Sequence, residues 1–139
     1  MIYLLDACAM IAFLNQEPEG FNVKELFYSA ETGENELYMS IINLTEVYYN
    51  YIRSDGLAEA DAIMREIEKL PIKIIDTMNW IICREAARLK VQYSMSLADT
   101  FLCATAKSLS AVIVTKDGEI ATVEAGENLS VFWINKNMA

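Results

Sequence analysis

The sequence predicts a three-layer α/β/α domain with a central parallel sheet of about five strands. Short apolar runs rich in β-branched and aromatic residues alternate with longer segments of helical periodicity. The short runs are apolar throughout rather than at every second position, so we expect helices to cover both faces of the sheet. The chain has 139 residues, 54% of them hydrophobic, which suits one core and a single domain over residues 1–139.

Two strands and four helices are expected in the first half of the chain. In order, they are strand Ile2 to Leu5, helices Ala7 to Leu14 and Val23 to Ser29, strand Leu37 to Met39, and helices Leu44 to Arg53 and Leu57 to Leu70. Turn residues at 18–20, 32–35 and 54–56 separate these elements. Pro71 ends the last helix because proline has no amide hydrogen to donate.

The second half continues the alternation. The expected elements are strand Ile72 to Ile75, helices Thr77 to Tyr93 and Leu97 to Ser108, strand Val112 to Val114, a short helix after Gly118, and strand Val131 to Trp133. Asp117-Gly118 and Gly126-Glu127-Asn128 supply turns. The alternation of strands and helices predicts a parallel sheet, since parallel strands need long crossover connections.

The charge balance is the opposite of a nucleic-acid-binding surface. Eleven Lys+Arg against twenty Asp+Glu give a net charge of −9, whereas phosphate binding usually requires a basic patch. A nucleic-acid ligand would need bound metal ions, a basic partner, or local cations, for which the candidates are Arg84, Arg88, Lys90, Lys107 and Lys116. The chain contains no histidine, so hydrolytic chemistry would rely on carboxylates.

Cys8, Cys83 and Cys103 are odd in number, widely spaced and set in apolar surroundings. We expect buried free thiols without a chemical role. The chain start lacks the pattern of a secretory signal, and no uninterrupted apolar stretch reaches about 18 residues. We therefore expect a cytoplasmic protein that does not enter a membrane.

Three aspartates suit a functional site, and each also has a structural explanation. Asp6 ends the first strand and could simply cap the following helix. Asp117 follows the fourth strand, where an Asp-Gly turn explains it equally well. Asp99 has capping-box spacing from Ser96. It is, however, the only charged residue from Leu97 to Ala106, and a buried carboxylate is unfavourable unless it is paired or binds a metal.

Glu46 and Glu119 each leave two explanations open. Glu46 lies opposite the apolar stripe of its helix, which suits a cleft wall and plain solvent equally. Glu119 could be a solvated first-turn acid or a carboxylate behind a site. The carboxyl ends of parallel strands share one edge of a sheet, so we expect Asp6, Asp99 and Asp117 to converge there. Clustered carboxylates make sense chiefly around a divalent cation, and oxygen ligands favour Mg²⁺ or Mn²⁺ over zinc.

Four segments carry these acids in order along the chain. They are Ile2-Tyr3-Leu4-Leu5-Asp6, Asn43-Leu44-Thr45-Glu46-Val47, Leu97-Ala98-Asp99-Thr100-Phe101-Leu102-Cys103-Ala104-Thr105-Ala106 and Val112-Ile113-Val114-Thr115-Lys116-Asp117. Together they resemble the motifs of PIN domains, including the VapC-type toxin ribonucleases. The resemblance implies a three-layer domain, an acidic pocket that binds Mg²⁺ or Mn²⁺, and endonucleolytic RNA cleavage by metal-assisted hydrolysis. It makes Asp6, Glu46, Asp99 and Asp117 the catalytic acids, with Asp6, Asp99 and Asp117 as metal ligands and Thr115 as a hydroxyl contact.

The resemblance also implies partners. VapC-type toxins form homodimers and are inhibited by a cognate antitoxin whose basic segment can enter the acidic pocket, and the negative charge of this chain would favour such an inhibitor. Two positions depart from the family pattern. Ala7 follows Asp6 where many members have Thr or Ser, and Cys8 stands where Asn or Ser is common. One pocket hydroxyl is therefore missing.

Two other functions stay open at the level of sequence. A PIN-like fold without turnover could bind RNA or act as a scaffold, with the acids kept as caps and turn residues. A phosphoryl-transfer enzyme or receiver-type regulator would use Asp6 as a phosphate acceptor. A haloacid-dehalogenase-type phosphatase would carry a second aspartate at the position of Cys8, and a receiver would carry paired acids after its first strand; neither pattern is present. A Walker-type phosphate loop is also missing.

Overall fold

The computed structural model describes residues 1–136 and shows a five-stranded sheet between two layers of helices. The strands are β1 (Ile2–Leu5), β2 (Glu36–Ser40), β3 (Lys73–Ile75), β4 (Val112–Thr115) and β5 (Val131–Trp133). The helices are α1 (Ala7–Leu14), α2 (Gly20–Glu31), α3 (Ile41–Asp55), α4 (Leu57–Glu68), α5 (Trp80–Gln92), α6 (Leu97–Leu109) and α7 (Glu119–Glu127). The strand order is β3-β2-β1-β4-β5, and every neighbouring pair is parallel. The predicted three-layer α/β/α fold is confirmed.

Each face of the sheet has its own hydrophobic core. Successive strand residues face opposite sides, so Leu5 packs in a core with residues of α1 to α4, whereas Leu4 packs in a second core with residues of α5 to α7. Both leucines are fully buried, which explains why the strands are apolar throughout rather than alternating. Within residues 1–136, no helix is both long and apolar enough to cross a membrane.

Side-chain caps set where several helices begin, and they shift two of the expected boundaries. Ser40 accepts a hydrogen bond from the backbone N–H of Asn43 at 3.2 Å, so α3 begins at Ile41 rather than at Leu44. Asn79 caps α5 in the same way. That helix therefore begins at Trp80, three residues after the expected start.

The strand order places the carboxyl ends of β1 and β4 at a topological switch point. The chain leaves β1 towards β2 on one side and later inserts β4 on the other side. Open α/β sheets bind ligands at such points. Asp6 directly follows β1, Asp117 lies two residues beyond β4, and α6, which carries Asp99, packs against both strands. The order also differs from the 2-1-3-4-5 order of flavodoxin-like proteins such as CheY.

The contact between α1 and α2 depends on Gly20. A Cβ atom at this position would clash with the Ala12 carbonyl group, which is backbone and cannot swing away. We expect Gly20→Ala to lower the free energy of unfolding by about 1–3 kcal/mol, measured by urea denaturation. Gly118→Ala is the matched control, because Gly118 has open space around it and helical backbone angles. A Gly20 variant as stable as the Gly118 variant would contradict this packing.

Candidate metal centre

Asp6 both caps α1 and faces the site. One carboxylate oxygen accepts the backbone N–H of Ala7 at 2.7 Å, and the other accepts the hydroxyl of Thr115 at 2.7 Å. The side chain is only 4% exposed. Burial raises the pKa of Asp6, the hydrogen bonds from Thr115, Ala7 and Cys8 partly oppose that rise, and the charge of Asp117 adds to it. Capping and a functional role are therefore compatible in this residue.

Thr115 links Asp6 to the turn that carries Asp117. Its hydroxyl donates to Asp6 and accepts the backbone N–H of Asp117 at 2.9 Å. Asp117 in turn accepts the backbone N–H of Glu119 at 3.0 Å, which closes the turn into α7. A single buried hydroxyl thus fixes Asp6 and Asp117 relative to each other. Thr115 makes the hydroxyl contact that was expected at this position.

Asp99 lies in the first turn of α6, which Ser96 caps by accepting the Asp99 backbone N–H at 3.1 Å. Asp99 as a whole is 5% exposed. The pKa of Asp99 is raised to about 8, mainly by burial, then by a hydrogen bond with the Glu119 carboxyl group and by the charges of Asp6 and Asp117. In the absence of a cation, this carboxyl group holds a proton near neutral pH.

The three aspartates meet at one point. One carboxylate oxygen from each of Asp6, Asp99 and Asp117 lies within 4.8 Å of the other two. Oxygen ligands at about 2.0–2.6 Å from a hard divalent cation stand up to roughly 4–5 Å apart, so the donor set and its spacing suit Mg²⁺, Mn²⁺ or Ca²⁺. A cation would also offset the burial and the mutual repulsion that raise the pKa values of Asp6 and Asp99. The convergence expected from the sequence is present, and the chemical roles of these residues stay a prediction.

Glu46 lines the same cavity, which has a volume of about 340 Å³. The amide of Asn43 donates to a Glu46 carboxylate oxygen at 2.7 Å, and the hydroxyl of Ser40 donates to the Asn43 side-chain oxygen at 3.1 Å. Burial is the main cause that raises the pKa of Glu46, with smaller contributions from the charges of Asp6 and Asp117. Glu46 therefore forms part of a cleft wall, which is one of the two positions that the sequence left open. Glu119 also lines the cavity.

Cys8 contacts three polar groups at the edge of the site. Its sulfur lies 3.5 Å from Asp6 Oδ2, 3.4 Å from the Thr115 hydroxyl and 3.4 Å from the backbone nitrogen of Lys116. Burial, followed by the charge of Asp6, raises the pKa of Cys8 to about 12, so the thiol is protonated at neutral pH. All three cysteines are free, as expected, but Cys8 lines the acidic cavity.

The cations considered for phosphate binding are mostly engaged elsewhere. Lys116 pairs with Glu17 at 3.0 Å and Glu19 at 2.6 Å. Arg88 and Lys107 both pair with Glu85 and Glu127, which ties α5, α6 and α7 together on the surface. Lys90 donates to the carbonyl of Met95. Within residues 1–136, these side chains therefore form contacts that stabilise the fold, and they are not free to bind phosphate.

Sequence reasoning missed the residues that support the acids. Ser40 and Asn43 are both fully buried, and the signal that could have found Asn43 is a polar residue inside the apolar run Ile41-Ile42-Asn43-Leu44. Its spacing of three from Glu46 places the two side chains on one helix face. Cys8 was missed because a thiol in an apolar segment gives no sign of its polar neighbours.

The PIN domain family model matches residues 3–126 of the chain. This chain belongs to the PIN domain family. The match includes Asp6, Glu46, Asp99 and Asp117, so the family membership expected from the four motifs is confirmed. None of the curated proteins compared with the chain matches it in sequence.

Solved structures of similar fold cover nearly the whole PIN domain. VapBC2 from Rickettsia felis, bound to a promoter DNA fragment, gives a TM-score of 0.73 at 21% identity, covering 95% of this chain and 98% of that chain. VapBC-1 from nontypeable Haemophilus influenzae gives 0.70 at 23% identity, covering 98% and 100%. VapC20 from Mycobacterium tuberculosis, a sarcin-ricin loop cleaving toxin, gives 0.68 at 16% identity, covering 87% and 94%. At these identities the similarity shows a shared fold.

The raised pKa of Asp99 predicts a pH-dependent stability in the metal-free PIN domain. An aspartate in an unfolded chain has a pKa of about 3.9, and folding raises the pKa of Asp99 to about 8. The folded chain therefore binds more protons than the unfolded chain between these two values. The contribution of Asp99 to stability is present at low pH and is lost as pH rises from about 4 to about 8.

Asp99→Asn should remove this dependence, because an amide does not titrate in this range. In chelator, the variant should gain more than about 1 kcal/mol relative to the wild type between about pH 5 and about pH 9, measured by urea unfolding. Asp76→Asn is the control, since Asp76 also follows a strand but is exposed. A pH-independent difference between the wild type and Asp99→Asn would contradict the assignment.

Proposed function

We propose that this PIN domain, as a single unit over residues 1–139, is a Mg²⁺- or Mn²⁺-dependent endoribonuclease and the toxin of a VapBC-type pair. The observation that carries the proposal is the convergence of Asp6, Asp99 and Asp117 within 4.8 Å at the switch point of the sheet. Family membership supports nuclease chemistry. The VapBC and VapC structures of similar fold support the toxin assignment. Such a nuclease would act on cellular RNA in the cytoplasm.

Each acid has a distinct part in this proposal. Asp6, Asp99 and Asp117 would hold the cation, and the Thr115 hydroxyl would keep Asp6 and Asp117 in register. Glu46 lines the same cavity and is held by Asn43 of its own helix, and it would orient the attacking water. The cation would supply Lewis-acid activation of water and neutralise charge at the phosphate. Hydrolysis by this set of residues needs no histidine, in agreement with the composition.

The proposed partners follow from charge and from the structural neighbours. A cognate antitoxin with a basic segment would complement the acidic cavity and the net charge of −9. VapBC complexes among the structural neighbours support this partner. If no small basic protein is recovered on co-purification from the native host, the proposed antitoxin is contradicted.

We further infer a homodimer, because α5 exposes three large apolar side chains: Trp80 by 75%, Ile81 by 76% and Val91 by 90%.

A second candidate is a PIN domain that binds RNA or a protein without turnover. The engaged state of Arg88, Lys107 and Lys116 favours the protein-binding form of this candidate, because these ion pairs leave fewer cations for an RNA backbone. Calorimetric titration with Mn²⁺ separates the two candidates. An absence of binding at millimolar Mn²⁺ would favour the scaffold.

RNA cleavage in Mn²⁺ tests the nuclease directly. We expect Asp6→Asn and Asp99→Asn each to lower the cleavage rate by at least about 100-fold, since each removes a charged ligand from the cation. Asp76→Asn should cleave like the wild type. Undiminished cleavage by either site variant would rule out this mechanism, and an assay of chelator-treated protein shows whether cleavage requires the metal.

Thr115→Val should weaken Mn²⁺ binding by about 10-fold. The valine keeps the shape of the side chain but removes the donor to Asp6 and the acceptor of the Asp117 backbone N–H. Isothermal titration calorimetry measures the affinity. Thr105→Val is the matched control, because Thr105 is equally buried and its hydroxyl contacts only the sulfur of Met78 in the described part of the chain. Equal affinities for the two variants would exclude a positioning role for Thr115.

A further inference from the structure

A second concavity adjoins the acidic cavity, between α3 and α6. Its volume is about 450 Å³, within the size range of small-ligand sites. Glu46 and Ser96 line both concavities, which makes them one continuous groove. The remaining walls are mainly apolar side chains, namely Ile42, Tyr49, Leu97, Ala98 and Phe101. The groove is therefore acidic at one end and apolar and aromatic at the other.

Tyr49 differs from the neighbouring tyrosines of α3, whose hydroxyl groups are bound within the fold. Neighbouring Tyr48 donates its hydroxyl to Asp61, and Tyr51 donates to Asn15. Tyr49 is 43% exposed, and within residues 1–136 its hydroxyl has no hydrogen-bond partner. An exposed ring at the edge of a concavity is available to stack against a planar ligand.

Arg53 supplies a positive charge beside Tyr49. Its guanidinium carbon lies 5.3 Å from the centre of the Tyr49 ring, and among the described residues it forms no ion pair. Arg88, Lys107 and Lys116 are all paired. The spacing of Glu46, Tyr49 and Arg53 places them along one face of α3, with about 10 Å between the first and the last.

We propose that this groove binds an unpaired nucleobase of single-stranded RNA next to the scissile phosphate. Tyr49 stacks on the base, and Arg53 pairs with a neighbouring phosphate. The apolar walls suit the uncharged base and offer no partner to a phosphate group. Bases of a double helix are already paired and stacked, so the site selects single strands. The inference rests on the proposed nuclease function, because that function places the scissile phosphate in the acidic cavity.

Equilibrium binding tests the groove independently of catalysis. Fluorescence anisotropy is measured with a short mixed-sequence single-stranded RNA, the same ribose-phosphate chain without bases, and the annealed duplex. Ca²⁺ replaces Mg²⁺ to limit turnover. We expect the single strand to bind about 5- to 100-fold more tightly than the abasic chain or the duplex, the range that one stacked base supplies. Equal affinity for the abasic chain would overturn the proposal.

Four variants sharpen the test. Tyr49→Ala should weaken single-strand binding by about 5- to 100-fold, while Tyr49→Phe keeps the ring and the affinity. Tyr28→Ala is the matched control, since Tyr28 is 53% exposed on distant α2 and also has a cation, Lys24, over its ring. Arg53→Gln should lower the slope of log affinity against log salt by about one. Equal affinities of the Tyr49→Ala and Tyr28→Ala proteins would overturn the proposal.

The two proposals fail in different ways. Wild-type protein that shows this binding profile but does not cleave RNA in Mn²⁺ contradicts the nuclease and supports the groove. Cleavage combined with unchanged binding by Tyr49→Ala contradicts the groove alone. If Tyr49→Ala instead alters the molecular mass in sedimentation and leaves RNA affinity intact, the groove is an interface between copies of the chain, and the proposal is overturned.

Discussion

The fold has to accommodate three clustered carboxyl groups, two of which are buried and all of which repel one another. Asp6, Asp99 and Asp117 bring oxygens within 4.8 Å of one another, and burial alone already raises the pKa values of Asp6 and Asp99. An arrangement of this kind opposes folding unless a proton or a cation offsets it. The fold therefore contains a site at which a bound cation would offset an unfavourable concentration of carboxyl groups.

The remainder of the fold holds these acids in place against that repulsion. The switch point between β1 and β4 fixes the ends of two strands, and the Thr115 hydroxyl joins the acids that follow them. The Ser40–Asn43 pair holds Glu46 from the other wall of the cavity. Because these supports are buried and hydrogen-bonded, the acids are held in place without a ligand, which is the preorganisation that the proposed metal-assisted hydrolysis would need.

The sequence predicts the part of this arrangement that follows from chain direction. Asp6 and Asp117 follow apolar strands, and a parallel sheet must bring such strand ends to one edge. Asp99 stands out because no other charge accompanies it on its helix. Glu46 could not be assigned in advance, since a cleft wall and open solvent look alike on a helical wheel. Glu46 is held in the cleft by a hydrogen bond from Asn43. The sequence does not show that Asn43 is buried, and so it does not reveal this contact.

Long-range pairing is the other part that sequence reasoning could not supply. Lys116 is bound by Glu17 and Glu19, about a hundred residues away along the chain. Cys8 lies in an apolar run and yet contacts three polar groups across the switch point. The Asn79 cap moves the start of α5 by overriding the apolar pattern that predicts a start at Thr77. For Lys116 and Cys8 a tertiary contact outweighs the local signal, whereas the start of α5 is set by a local side-chain cap.

Proton release on cation binding is the measurement that addresses the central claim most directly. Titration of Mn²⁺ near neutral pH in buffers of different ionisation enthalpy reports both the affinity and the number of protons displaced. The pKa of Asp99, raised to about 8, predicts binding that releases protons and grows tighter with pH. Binding without proton release, or no binding at millimolar Mn²⁺, would contradict the claim that these carboxyl groups form a metal centre.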